Sequence, residues 1–146
     1  MISMTKDRIT IKTVVDLPAE IVWSYWTEPE HIVKWNNASE DWHTTASEND
    51  LRAGGRFLSR MEAKDGSFGF DFSGVYDEII EHERITYTLD DDRKVEISFL
   101  ERDGKTEVTE IFEAEGSNTL ELQKTGWQAI LDNFRNYAEE ENRRNP

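Results

Sequence analysis

The sequence predicts an α+β domain in which a curved antiparallel sheet of six or seven strands wraps round one long C-terminal helix. Asp-Gly pairs at residues 65–66 and 103–104 are typical of two-residue hairpins, and they divide the middle of the chain into strands. Connections this short contain no crossover, so neighbouring strands must be antiparallel. Helical periodicity is confined to two short segments after the first strand and to the end of the chain.

The two short helices follow from start signals and apolar spacing. Pro18 suits the first position of a helix, and Val22 and Trp26 then recur at helical spacing on one face. The pattern Thr27-x-x-Glu30 is a capping box and predicts the start of the second helix. We expect these helices to pack on the sheet through their apolar faces.

The long helix is predicted to begin at Asn118, where Asn118-x-x-Glu121 resembles a capping box, and to end near Glu140. An apolar stripe at helical spacing would face the sheet. Its members are Leu120, Trp127, Ile130, Leu131, Phe134, Tyr137 and Ala138.

Hairpin register predicts which side chains share a face, because cross-strand partners point the same way. Two-residue loops at both Asp-Gly pairs and a three-residue loop at residues 90–92 align these partners into one aromatic face and one mostly polar face. The predicted pairs are Met61–Phe70, Ser59–Phe72, Phe57–Gly74, Phe99–Val108, Ile97–Glu110, Val95–Phe112 and Tyr87–Val95.

Composition and charge exclude several classes of function. The 146 residues form one predicted domain, residues 1–146, with no cysteine and a formal charge of -14. That charge opposes binding to nucleic acid or to anionic membranes. No apolar run is long enough to span a membrane, and the N-terminus lacks the apolar core of a signal peptide, so we expect a soluble, cytoplasmic protein.

Five motifs resemble the START-like helix-grip (SRPBCC) superfamily, and within it the branch of homologues of the activator of the 90-kDa heat-shock-protein ATPase. They are VW..WTEPE....W in the first helices, LRAGGRF at residues 51–57, GVYDEI at 74–79, ERITYT at 83–88 and TGWQAILDNF at 125–134. The resemblance implies a helix-grip fold with a cavity between sheet and long helix. It leaves the biochemistry open, because the superfamily includes lipid carriers, hormone binders, cyclases and co-chaperone domains.

Aromatic residues on the predicted inner face are candidates for a ligand-binding cavity. Trp127 is the helix residue that we expect to meet it, and Trp35 and Trp42 lie where similar folds place its mouth. Trp23 and Trp26 are predicted to pack the first helix on the sheet without a ligand role. The predicted ligand-binding residues are Trp35, Trp42, Phe57, Met61, Phe70, Phe72, Tyr76, Glu110, Trp127 and Leu131.

Glu110 is the exception on the aromatic face, because burying a carboxylate without partners is costly or raises its pKa until it is neutral. Two interpretations remain open. A twist or bulge would carry Glu110 to water or to a basic neighbour, which is the interpretation that we favour from the sequence. Alternatively, Glu110 is the polar anchor of an apolar cavity and hydrogen-bonds a ligand hydroxyl or carbonyl.

The sequence predicts no metal, no cofactor and no catalytic residue. His31, His43 and His82 lie in different elements without metal-ligand spacing, and no serine or cysteine nucleophile has a recognisable context. An acid-base enzyme that uses Glu110 with His43 or Tyr76 is an open alternative, as in cyclase-like relatives.

Three functions therefore remain. The favoured one is a module that binds an apolar small molecule, such as a lipid or a flat polyphenol, in the cavity. The resemblance also implies an interaction module that acts on a chaperone ATPase. The third is the cyclase-like enzyme.

Overall fold

The computed structural model describes residues 7–145. Within these residues, seven strands and three helices follow one another. They are β1 (Arg8–Val15), α1 (Ala19–Thr27), α2 (Pro29–Trp35), β2 (Trp42–Asn49), β3 (Arg56–Ala63), β4 (Gly69–Ile80), β5 (Arg84–Leu89), β6 (Lys94–Arg102), β7 (Lys105–Glu113) and α3 (Leu120–Arg144).

The strands form one antiparallel sheet in the order β1-β7-β6-β5-β4-β3-β2. β1 and β2 are the two edges, and α3 packs against β1 while α2 packs against β2. The predicted α+β class, the antiparallel sheet and the positions of the helices are therefore confirmed.

The predicted hairpin registers are also confirmed. Phe72 pairs with Ser59, Tyr87 with Val95, and Glu110 with Ile97. The register shifts twice, between Thr44 and Ala46 in β2 and between Tyr76 and Glu78 in β4. β7 shows no shift against either neighbour, so the bulge that would carry Glu110 to water does not form.

Helix ends differ from the sequence prediction by small amounts. α3 begins two residues after Asn118 and ends at Arg144, four residues beyond the expected end. The N-cap is Thr119 instead of Asn118, and its hydroxyl accepts a hydrogen bond of 3.1 Å from the Leu122 amide. In α2, Glu28 is the N-cap and Pro29 follows, whereas the Thr27 hydroxyl donates to the Trp23 carbonyl. The prediction of a capping box at Thr27 was therefore wrong, because the Thr27 hydroxyl is hydrogen-bonded to a carbonyl of the preceding helix, α1.

The core lies where the second half of α3 meets the sheet. Leu131, Phe134 and Ala138 are fully buried there, as are Phe112 and Val108 on β7. The first half of α3 is different: Leu120 and Leu122 are exposed, and Trp127 is only partly buried. The helix is therefore held tightly at one end only.

We expect Thr119→Ala to lower the free energy of unfolding by about 0.5 to 2 kcal/mol, because it removes the side-chain cap of α3. Asn118→Ala is the matched control, since only the backbone of Asn118 is used in the hydrogen bonds of this turn. Chemical denaturation measures both. A larger loss for Asn118→Ala would contradict the assignment of Thr119 as N-cap.

Candidate ligand-binding site

A cavity of about 410 Å³ lies between the concave face of the sheet and the first half of α3. This volume falls in the range of small-molecule sites. Three of its lining residues, Phe70, Asn118 and Leu122, are exposed, so the cavity opens between the β3–β4 hairpin and the first turns of α3.

Aromatic rings form most of the wall. The indole of Trp127 stacks on Phe112 with ring centroids 3.9 Å apart and planes inclined by 9°, and it meets Phe72 edge-on at 6.0 Å. On the strands, Phe57 lies between Tyr76 and Tyr87, with ring centroids at 5.1 and 4.7 Å. Such packing holds the rings in place and leaves a shaped apolar space.

The structure brings most of the predicted site residues together round this cavity. Two do not line it. Leu131 is fully buried in the core beyond the cavity, and Trp42 begins β2 and packs against Phe68 and Phe70 at the hairpin. The predicted residues that do line the cavity are Trp35, Phe57, Met61, Phe70, Phe72, Tyr76, Glu110 and Trp127.

The prediction from the sequence missed several residues that line the cavity. Tyr87 shares the predicted face, and its pairing with Val95 was a sufficient signal to find it. Trp26 lines the cavity. It also packs in the core, where the centroid of its ring lies 4.9 Å from that of Trp35 and 4.8 Å from that of Phe134. The other missed residues are Ile32, Asn36, Ser59, Ile85, Arg93, Glu115, Asn118, Leu122, Gln123, Gly126 and Ile130.

Glu110 faces the cavity from β7 and is only 6 % exposed. Its neighbours across the sheet are Ile11 and Ile97, which offer no polar side-chain atom. Burial raises the pKa of Glu110 to about 8. The side chain is therefore a mostly neutral carboxylic acid at neutral pH, and the expectation that it reaches water or a basic neighbour was wrong.

Two tyrosines line the same cavity as this acid. Burial is the main cause that raises the pKa of Tyr87 well above its usual value, and the nearby Glu110 is the second cause. Burial also raises the pKa of Tyr76, whose hydroxyl donates to the Asn49 side chain at 2.5 Å. Both phenols stay protonated at neutral pH.

The open end of the cavity is polar and already hydrogen-bonded. The Gln123 side chain donates to the Glu115 and Asn118 carbonyls and accepts from the Glu115 amide at 2.8 Å. The Glu115 carboxylate accepts from the Ser117 and Asn118 amides, which lowers its pKa. These bonds fix the loop between β7 and α3, so the opening has a defined shape.

Among residues 7–145, one cluster of potential metal-ligating side chains lies outside the cavity. Potential ligand atoms of Glu28, Glu30 and His31 lie within 4.8 Å of one another, and the second ring nitrogen of His31 is 2.7 Å from the Tyr137 hydroxyl. Exposed acidic clusters are common without a metal, and nothing else at this position points to one. Within residues 7–145, no helix is long and apolar enough to cross a membrane.

A seven-stranded antiparallel sheet that grips one long helix, with a cavity between them, defines a START-like helix-grip domain. The family model described as Activator of Hsp90 ATPase homolog 1-like protein matches residues 16–139, and the chain belongs to this family. The resemblance stated from the sequence is confirmed. Membership supports a ligand-binding or interaction module in general.

Solved structures agree with this assignment. The AHSA1-like protein from Aeromonas hydrophila is 45% identical, with 93% of this chain and 94% of that chain covered and a TM-score of 0.88. Chr148 from Cytophaga hutchinsonii is 47% identical over 95% and 96% of the two chains, with a TM-score of 0.80. CV1439 from Chromobacterium violaceum is 25% identical over 91% and 98%, with a TM-score of 0.82. No match was found among curated protein sequences.

Glu110→Gln should make stability less dependent on pH. The pKa of Glu110 is about 8 in the folded protein and near 4.5 in the unfolded chain, so only the folded state keeps this proton between those values. Raising the pH therefore favours unfolding, by up to about 1.4 kcal/mol per pH unit, and the effect ends above the folded pKa. We expect the stability advantage of the variant to grow through this window.

Denaturant titrations at several pH values measure this advantage directly. Glu107→Gln, on the opposite face of the same strand, is the matched control. A stability difference between Glu110→Gln and the unchanged protein that stays constant from pH 5 to pH 9 would show that Glu110 is ionised in the folded state.

Proposed function

We propose that the chain is a small-molecule binding module whose cavity holds a mainly apolar, aromatic or lipid-like ligand. The observation that carries the proposal is the cavity itself: about 410 Å³ enclosed by aromatic rings, with one buried carboxyl on its wall. Pockets that bind small molecules have this composition, an apolar lining with a few polar groups that orient the ligand.

Hydrogen bonding on the wall supports the same proposal. The fully enclosed side-chain atoms without a hydrogen-bond partner among the described residues are Ser47 Oγ and Arg84 Nε, whereas the Glu110 carboxyl and the Tyr87 hydroxyl face the cavity and make no hydrogen bond to another described residue. Buried polar groups are normally paired, and an unpaired one requires an explanation. A bound molecule that contacts these groups supplies the missing partner.

Gly126 offers a way to test the cavity without damaging the fold. It lines the cavity on α3, and a Cβ added there meets nothing within 4 Å. Any other residue except proline also favours a helix more than glycine does, by up to about 1 kcal/mol. A large side chain at this position is therefore expected to fill the cavity while α3 stays intact.

We expect apolar aromatic compounds to bind the unchanged protein and Gly126→Ala, and to bind Gly126→Phe weakly or not at all. NMR titration of labelled protein with a mixed set of lipids, polyphenols and sterols measures this, with shifts clustered on the cavity-lining residues. Gly126→Ala controls for the change in helix propensity.

Two results would contradict the proposal. One is an absence of shifts with every apolar class. The other is binding to Gly126→Phe that equals binding to Gly126→Ala, because the ligand would then sit outside the cavity.

The family description suggests a second candidate, an interaction with a chaperone ATPase. Exposed Phe68, Phe70, Leu120 and Leu122 near the opening favour a contact surface there, since large exposed apolar side chains that occur together often mark interaction sites. A chaperone ATPase assay distinguishes ligand binding from chaperone interaction. If the chain stimulates the ATPase, and if Phe68→Ser abolishes this stimulation while Gly126→Phe leaves it unchanged, the result would favour the interaction module.

An acid-base enzyme is supported by the pKa of Glu110, which at about 8 lies in the range where a general acid works at neutral pH. His43 is not its partner, because that side chain is exposed on β2 and does not line the cavity. Tyr76 lines the cavity but already donates to Asn49.

A further inference from the structure

The positions of Glu110 and Tyr87 indicate which polar group a ligand of the cavity carries. Tyr87 on β5 pairs with Val95, and Glu110 on β7 pairs with Ile97, two residues further along the intervening strand β6. Both side chains therefore leave the same concave face, on either side of β6, and both line the cavity. Glu110 also contributes to the raised pKa of Tyr87, so the two polar groups lie within electrostatic range of each other.

Three other polar groups of the lining already have hydrogen-bond partners. The Arg93 guanidinium donates to the Asp91 carboxylate at 2.8 Å, and Glu115 accepts from the backbone amides of its own loop. The Tyr76 hydroxyl donates to Asn49.

The helices add no competing charge. Among the described residues, those of α1, α2 and α3 that line the cavity include no titratable side chain. On the sheet, Ile11 and Ile97 flank Glu110 from β1 and β6. Arg93 is the cation nearest in effect to Tyr87, and it is already paired with Asp91.

We propose that Glu110 and Tyr87 form a two-donor site for the carbonyl oxygen of an aromatic ligand. This inference rests on the proposed binding function and names the polar group that the ligand must carry. A carboxylic acid donates one hydrogen bond and a phenol donates another, and a carbonyl oxygen has two lone pairs and no proton of its own. Buried carboxylic acids that remain neutral at neutral pH serve as donors in this way.

Other ligand chemistries fit the site less well. A hydrocarbon leaves both donors without partners, which is unfavourable in a buried site. A protonated amine would bury a positive charge beside a neutral acid and a phenol, and neither group carries the negative charge that would compensate it. The aromatic walls favour a ring system over an alkyl chain, because rings stacked on them gain energy beyond area burial.

Three probes of one rigid shape test the inference: 9-fluorenone, fluorene and 9-aminofluorene. Titration calorimetry or quenching of tryptophan fluorescence gives each dissociation constant. We expect fluorenone to bind more tightly than fluorene by roughly two- to twelve-fold for each hydrogen bond formed. Tyr87→Phe and Glu110→Leu should each reduce this ratio and leave fluorene binding in place.

The dependence on pH supplies an independent readout. Ionised Glu110 cannot donate, so the ratio of fluorenone to fluorene affinity should fall as the pH rises from about 6.5 to about 9.5. Glu110→Gln keeps an N–H donor and has no titrating proton. In that variant we expect the fluorenone preference to persist and to lose its dependence on pH.

The outcomes separate the two proposals. Fluorene and fluorenone binding equally in the cavity would overturn the two-donor site and leave the binding function standing. Binding of 9-aminofluorene that is tighter than binding of 9-fluorenone would also overturn the two-donor site, since Glu110 would then act as an anion. Failure of all three probes, together with no shifts in the NMR titration, would overturn both proposals.

Discussion

The contact that the rest of the structure depends on is the aromatic cluster of Trp26, Trp35 and Phe134. The Phe134 ring lies 4.8 Å from Trp26 and 4.9 Å from Trp35, nearly perpendicular to both, and Phe134 is fully buried. This cluster joins both short helices to the second half of α3. A curved sheet and one long helix cannot touch along their whole length, so fixing the helix at this end leaves a gap between the sheet and the first turns of the helix.

The cavity between the sheet and α3 stays open because of the residues that line it. Gly126 contributes no side chain, and Trp127 lies flat on Phe112 at 3.9 Å instead of reaching across the space. The loop that borders the open end is hydrogen-bonded to the first turn of α3 through Gln123 and to itself through Glu115, so it does not collapse inward. The cavity is thus a product of ordinary packing constraints, and its shape is set before any ligand arrives.

Most of the fold followed from local signals, whereas part of the site did not. Register was predictable because Asp-Gly turns specify loop length, and loop length specifies pairing; this placed Phe57, Met61 and Phe72 on one face. The N-cap was displaced by one residue because Asn118 and Thr119 are both good caps, and it is the Thr119 hydroxyl that accepts from the Leu122 amide. The location of Trp42 depends on how the hairpin folds over, which is a tertiary property that residue spacing does not encode.

Glu110 illustrates why sequence reasoning failed where it did. The rule that a buried carboxylate finds a partner or leaves the core is sound, and it predicted a bulge in β7. β7 is regular because it lies between β1 and β6 with continuous pairing on both sides, so moving Glu110 outward would break both ladders. The acid instead stays inside and takes up a proton, which makes the folded state less stable as the pH rises. An apolar residue would pack there without this cost. A side chain that opposes stability in the middle of a sheet, beside a cavity, therefore has its most direct explanation in what the cavity holds.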